Sequence, residues 1–428
     1  MGVSGLSRAL NHKPQTTNHK PQVMTLSAPS FVVTVRGAVL PAGAPVSSLF
    51  PPLVDTRRIL PTIAPRTPRM GSFGSLVAPM HRPNAPLHAP ADVKALLKRF
   101  GLTVSSLLTI ANPKTLKDSK IARSVILHHL PSRGLANAIN PLNNRAHVRG
   151  FLADLARLAE SEGLTELVKG FNACAWASPA CIDCCLNTSG HGGMSIACTS
   201  CRGRRQLASI ADPETYARGI LWAIARERLA TDRAIPLAVR LRGTDDRPWH
   251  KTTFSLSSAE CAVLHRRFGL TCAPGDNQTM ADVLQIERNR GRIVLYDYSA
   301  APLKGSLGII AQRAAGWDVT HSVKPDRATV CADAIAAIRA GFRVAIPVAM
   351  RDGDAIPPTL SITTASDSVI VPTINGDTND HRWANPGRTA VILRYKIARG
   401  ADPANVARFA IARSGSVQLS DGIIGWAE

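Results

Sequence analysis

The sequence predicts an α/β protein: a largely parallel sheet or partial barrel, preceded by helices and a disordered N-terminal arm. Three observations carry this. Apolar helices alternate with short apolar strands from about residue 145 onward. Polar residues gather where the expected strands stop. Pro, Ser and Thr crowd the first 90 residues without a helical period.

Residues 1–90 therefore read as a basic, Pro-rich arm. It carries one short tandem copy, "NHKPQTTNHKPQ", too brief for a solenoid repeat. A small helical segment is expected over 91–144. There "DVKALLKRFGLTVSSLLTIA" has helical spacing, with Asp92 as its N-cap. The main α/β domain is expected over 145–428. "AHVRGFLADLARLAESEGLTELVKGF" reads as one helix, or two broken at Gly163. "DPETYARGILWAIARERLA" is a helix capped by Asp212, with Pro213 at its first position, where a missing N–H costs nothing. Strands follow at "PLAVRLRG", "RIVLYDYS", "WDVTHSV", "FRVAIPVAM" and "TAVILRYK". Helices fall between them at "TMADVLQIER" and "CADAIAAIRAG".

Charge bounds the partners. The chain of 428 residues has a formal charge of +21. Residues 1–150 hold 19 Lys and Arg against three acids, so the excess belongs to the N-terminal third. A basic, acid-poor arm suits loose contact with nucleic acid, and equally an unselected leader. No run of 18 apolar residues occurs, so no transmembrane helix and no membrane partner are expected. With no signal-type start, the expected compartment is the reducing cytoplasm.

In parallel α/β sheets, ligands sit at the carboxyl ends of the strands. Four polar clusters fall at such ends. "RLRGTDD" supplies Arg240, Arg242, Asp245 and Asp246. "LYDYS" supplies Asp297 and Tyr298, "THS" supplies His321, and "INGDTNDHRW" supplies Asp377 and Asp380. Asp245, Asp297, His321 and Asp377 are the catalytic candidates. Arg240, Arg242, Tyr298 and Asp380 are the substrate-binding candidates.

Six of the nine cysteines fall between residues 174 and 201. Such crowding in a reducing compartment favours metal over disulfides. Cys181-x2-Cys184 and Cys198-x2-Cys201 have the paired spacing of a zinc ribbon, followed by Arg202, Arg204 and Arg205. Cys174, Cys181 and Cys185 alternatively form a trio able to hold a [4Fe–4S] cluster and leave one iron open. Cys261, Cys272 and Cys331 stand singly in apolar contexts and read as small hydrophobes.

The segments "CAWASPACIDCCLNTSGHGG", "AVRLRGTDDRPWH", "LYDYSAAP", "VTHSV" and "INGDTNDHRWANPG", in this order, resemble the phage "gene product 88" domain family over roughly residues 171–396. The family's activity is undefined. The resemblance implies phage or mobile-element ancestry and marks Cys174, Cys181 and Cys185 as the matching trio. Cys184, Cys198 and Cys201 depart from the family pattern. So do Arg242 and Asp245, where the family tends to have Asn and Ser. The layout also resembles a radical-SAM partial barrel, a cysteine loop ahead of βα units, but without the usual Cys-x3-Cys-x2-Cys spacing. S-adenosylmethionine is thus a possible cofactor only by architecture.

Three functions fit these observations. One is a phage-type iron–sulfur enzyme acting on nucleic acid or a nucleotide. Another is a zinc-stabilised nucleic-acid-binding protein. The third is a Mg²⁺-dependent nuclease using the strand-end acids. If the arm binds DNA, deleting residues 1–90 leaves the rest folded but weakens DNA binding and flattens its salt dependence. An unchanged salt slope would assign the arm to the leader reading.

Overall fold

The structure, a computed structural model, describes residues 89–110, 120–131, 134–135, 149–183, 185, 196–350, 353–395, 410–412 and 416–426. The arm expected over 1–90 lies almost wholly outside these residues, as does Cys184. The chain divides into two units, Met1–Ala78 and Pro79–Glu428.

Its helices are α1 (Ala91–Arg99), α2 (Arg149–Ser161), α3 (Thr165–Gly170), α4 (Pro179–Asp183), α5 (Ile196–Ala211), α6 (Pro213–Leu229), α7 (Ser258–Phe268), α8 (Met280–Val283), α9 (Gln285–Asn289), α10 (Ile309–Ala314) and α11 (Val330–Arg339). Its strands are β1 (Leu108–Thr109), β2 (Arg123–Leu127), β3 (Leu237–Arg240), β4 (Thr253–Leu256), β5 (Gly275–Thr279), β6 (Ile293–Ser299), β7 (Asp318–Ser322), β8 (Arg343–Ala349), β9 (Thr359–Thr364), β10 (Ser368–Asn375), β11 (Ala390–Arg394), β12 (Ile411–Ala412), β13 (Ser416–Leu419) and β14 (Gly422–Trp426).

Twelve strands form one sheet in the order β1-β2-β3-β6-β7-β8-β11-β10-β9-β14-β13, with β12 on β8. From β2 to β10 every pairing is parallel. The far end, β9, β14 and β13, is antiparallel. The parallel strands β2, β3, β6, β7 and β8 lie side by side in chain order. Right-handed crossovers then place α6, α10 and α11 on one face. On that face the core holds Leu237, Val239, Ile293 and Leu295, with Tyr216, Ile220, Leu221 and Trp222 of α6. Cys261, Cys272 and Cys331 are buried there, as expected of small hydrophobes.

The opposite face is covered differently. β10 and β11 are parallel, so residues 376–389 must return from the exit of β10 to the start of β11. This return lies against β2, β3 and β6. Trp383 packs on Ala122, Ala238, Val294 and Tyr296. His381 Nε2 lies 3.1 Å from Ser124 Oγ of β2.

Local chemistry explains the element ends. Asp212 caps α6 by accepting from the Thr215 amide at 3.0 Å. Gly163, at φ +68°, separates α2 from α3, so the ambiguous segment is two helices. Three expectations need correction. Asp92 is not a cap: it lies in the first turn of α1 and pairs with Arg218 of α6. Segment 91–144 is not a separate helical unit, because its run Arg123–Leu127 is fully buried as β2 and pairs with β3. The second cysteine pair is not a knuckle turn, because Cys198 and Cys201 lie one helical turn apart within α5.

Asp212→Ala should lower unfolding stability by about 1 kcal/mol. A urea midpoint indistinguishable from wild type would show that packing alone holds α6.

Candidate functional site

Parallel strands in one sheet share one carboxyl rim, and the cysteine loop crosses it. At the β3 exit, the Asp246 amide donates to Ala173 O at 2.9 Å, and Cys174 Sγ donates to Thr244 O at 3.8 Å. Past the β7 exit, Arg327 donates to Trp176 O, and Asp326 accepts from the Ala180 amide at 2.9 Å. At the β11 exit, Cys181 packs with Tyr395 and Ala410. Burial lowers the Arg202 pKa, and the thiols of Cys198, Cys185 and Cys201 oppose that shift. Cys201 Sγ also donates to Ser106 O at 3.8 Å.

Beneath this loop the predicted acids take separate positions. Asp245 Oδ2 lies 2.5 Å from His129 Nδ1, and His129 Nε2 lies 3.1 Å from the Tyr216 hydroxyl. Nδ1–H donates to the carboxylate, so in the neutral imidazole Nε2 accepts from the phenol. All three side chains are buried. His129 also stacks on Trp249 at 6.0 Å. Burial lowers the His129 pKa, while Asp245 opposes that shift. Closed to solvent, this relay pins the β2 exit to α6 and the post-β3 loop.

Asp246 accepts from Ser299 Oγ at 2.9 Å and from the Ala300 amide at 3.1 Å. Arg242 is buried and joins Gln312 at 2.5 Å, Arg247 O at 2.7 Å and His250 at 3.3 Å. Asp297 Oδ1 accepts from the Arg242 amide at 2.9 Å, and the Arg240 guanidinium lies 3.8 Å away. On the other sheet face, Arg240 pairs with Asp380 at 2.9 Å and lies 4.6 Å over the Tyr298 ring. Tyr298 accepts from Arg382 at 2.6 Å. Burial keeps the Tyr298 phenol protonated. Asp377 is set apart from these: its Oδ2 accepts from the Arg394 amide at 3.0 Å, bracing β10 to β11. Arg240, Asp245, Asp246, Asp297 and Arg242 thus converge at the β3 and β6 exits, and Asp377 serves another join.

Several buried polar atoms at this rim meet no hydrogen-bond partner among the described residues. They are His128 Nδ1, both amide atoms of Gln206, Asp245 Oδ1, Asp297 Oδ2 and His321 Nδ1. Three guanidiniums, Arg202, Arg240 and Arg205, lie around His128. Burial first, and then these charges, push its pKa well down. Burial with Arg327 and Lys324 pushes His321 down to about 4, so both imidazoles are neutral near pH 7.

The sequence reading does not single out His128, His129, Tyr216 or Gln206. "SVILHHL" carries the first two at the end of an apolar run, which was the available signal. Nothing in sequence marks Gln206.

Among the described residues, no group of three or more His, Cys, Asp or Glu side chains is gathered to hold a metal. No helix there is long and apolar enough to cross a membrane. No protein-family model, curated protein or solved structure matches the chain.

Burial holds the Asp297 carboxyl up at about 7, against the guanidiniums of Arg242 and Arg240. In the unfolded chain it ionises near 4. Between those values the folded protein keeps a proton that the unfolded chain has lost. Stability therefore falls as pH rises from about 4 to about 7, by about 1.4 kcal/mol per unit from this group. Asp297→Asn should narrow the difference between urea midpoints at about pH 5 and about pH 7. An unaltered difference would show that Asp297 is ionised throughout.

Proposed function

We propose that this chain is an enzyme of nucleotides or nucleic acid, with its site on the carboxyl rim beneath the cysteine loop. One observation carries the reading: buried polar atoms from the exits of four neighbouring strands, β2, β3, β6 and β7, have no partner among the described residues. Leaving a buried polar group unpaired costs about 1–3 kcal/mol, so several together call for a ligand or bound water. The basic groups at the same rim favour an anionic ligand. Arg202, Arg205 and Arg240 act on His128 at one side, and Arg327 and Lys324 on His321 at the other. Phosphate is the biological anion that best suits such a collar.

A partial barrel is the architecture we propose for the sheet. In a flat sheet β10 would stand about 29 Å from β2, six strand spacings away. His381, six residues beyond Asn375 and after a turn at Thr378, nonetheless reaches Ser124 of β2. Curling the sheet shortens that span. With the cysteine loop crossing the exits, this layout supports the radical-SAM-like and "gene product 88" resemblances as ancestry.

An iron–sulfur cluster on Cys174, Cys181 and Cys185 belongs to the same proposal, and would supply redox or radical chemistry. A zinc site on the paired cysteines, Cys181 and Cys184 with Cys198 and Cys201, is the second reading; Cys184 lies outside the described residues, and the thiols of Cys198 and Cys201 both act on Arg202. Neither set is gathered into a cage among the described residues. The Mg²⁺ nuclease reading draws less support, because Asp246, Asp377 and Asp380 are engaged by Ser299, Arg394 and Arg240.

Arg202→Gln should weaken binding of nucleoside triphosphates and single-stranded DNA at least about 10-fold and lower the salt slope. Affinity and slope equal to wild type would remove the rim as the site. On protein purified without oxygen, iron with matching sulfide supports the cluster, and zinc without sulfide the second reading.

A further inference from the structure

The parallel strands also share an amino edge, at the far end from the carboxyl rim. The turns that feed the strands there carry a row of exposed bases. Lys120 stands before β2, Arg233 before β3, Arg290 and Arg292 before β6, Arg313 at the end of α10 before β7, and Arg388 before β11. Neighbouring turns along this edge touch. The Arg123 amide donates to Pro236 O at 3.1 Å, and the Leu237 amide to Arg292 O at 2.9 Å. The Arg288 guanidinium lies against Gly316. Arg313 Nη1 donates to Ala340 O at 3.0 Å, and the Arg388 amide to Phe342 O at 3.2 Å. From β2 to β11 is five strand spacings, about 24 Å along the sheet.

Little opposes this charge. Asp232 is the one exposed acid among the described residues of these turns, and its carboxylate accepts from the Ala234 amide at 2.9 Å. Asp318, half-buried, is held by Arg343. Arg290 and Arg292 share a single buried carboxylate, that of Glu287, at 3.4 and 3.6 Å. Lys120, Arg233 and Arg388 enter no ion pair with a described residue. Helix C-termini attract bases, but Lys120, Arg233, Arg292 and Arg388 belong to no helix. Arg388 also holds a left-handed backbone, at φ +57°, where glycine would be unstrained. The chain thus keeps a guanidinium at a position whose backbone favours glycine.

We propose that this amino edge is a docking surface for the phosphate backbone of a nucleic acid. It is separate from the carboxyl rim and does not depend on the rim reading. A small anion meets one or two charges, whereas a row about 24 Å long suits a polymer with a phosphate at every step. One strand of a DNA duplex places its phosphates about 3.4 Å apart along the axis, so about seven pass such a row. A lipid surface presents its charge over a plane and not along a line. The exposed groups of the row are guanidiniums and one ammonium, which meet phosphate whatever the base sequence.

The test uses the full chain and a triple variant, Lys120→Gln, Arg233→Gln and Arg388→Gln. Fluorescence anisotropy follows binding of a labelled single-stranded oligonucleotide and of its duplex between about 50 and about 200 mM salt. Losing three phosphate contacts should lower the slope of log affinity against log salt by about 2 for the single strand and by about 2.7 for the duplex, and weaken binding at least about 10-fold at the low-salt end. The basic residues 1–90 are present in both proteins, so their contribution cancels in the difference. The urea midpoint of the triple variant should match wild type, because the three side chains are exposed. Arg388→Gly is a second variant: it removes charge while relieving the left-handed backbone, so weaker DNA binding should accompany equal or greater stability. Binding of nucleoside triphosphates should be unchanged, which separates this edge from the rim, where Arg202→Gln acts. A slope and affinity equal to wild type would overturn the proposal and leave the rim reading standing. So would binding to phosphatidylserine vesicles without binding to DNA. A triple variant that loses triphosphates in parallel with DNA would overturn the edge as a separate surface. The expected slope difference in a protein that binds no triphosphate would remove the rim reading and support this one.

Discussion

Parallel strands laid down in chain order permit helices on only one face of their sheet. That constraint organises this molecule. With α6 and its neighbours filling one side, the other side of β2, β3 and β6 has to be closed by something else. Residues 376–389 do so with Trp383, His381 and Arg382. The same strand order brings the exits of β2, β3, β6, β7 and β8 to one rim. A doubly wound sheet would divide its helices between faces and bind at a strand-order reversal. Here there is no reversal among these five strands.

The rim is stiffened by a polar weld rather than by apolar packing. Arg242 is spent on Gln312, His250 and a main-chain carbonyl, and its amide fixes Asp297. Asp246 fixes Ser299 and the start of the next loop while its amide holds the cysteine loop at Ala173. A single loop after β3 thus ties together β6, α10 and the cysteine segment. Such networks hold position well only when complete. Where this one ends unpaired, at Asp297 Oδ2 and Asp245 Oδ1, it adjoins the proposed site.

Much of the parallel core was legible, because its strands are short apolar runs with turn residues after them. β3, β6, β7, β8 and β11 all follow that pattern, and the Asp212–Pro213 cap fixes the start of α6. β2 was missed because "ARSVILHHL" stands inside a polar region and has no helix of its own close by. The antiparallel end was read less well. β9 and β13 are rich in Ser, Thr and Gln, and their burial alternates or is partial, so composition resembles a loop. At the site, acids and arginines at strand ends were visible as types. Their partners were not, because pairing spans long stretches of chain, 140 residues between Arg240 and Asp380 and 151 between Arg327 and Trp176. Asp377 shares its motif with Asp380 yet braces β11 instead.

The cysteine segment shows why spacing alone misleads. Cys198 and Cys201 have the interval of a metal turn, but α5 continues through both. In a helix that interval places two thiols on successive turns, about 5–6 Å apart at Cβ, with directions set by the helix and not by a metal. Cys174 and Cys181 are positioned instead by the rim, through Thr244 and Tyr395. The fold therefore sets the positions of these two sulfurs, within a segment whose contacts spread across the strand exits from β3 to β11. Cysteine segment and polar rim are in this sense one construction: Ala173, Trp176 and Ala180 are tied by hydrogen bonds to the loops after β3 and β7.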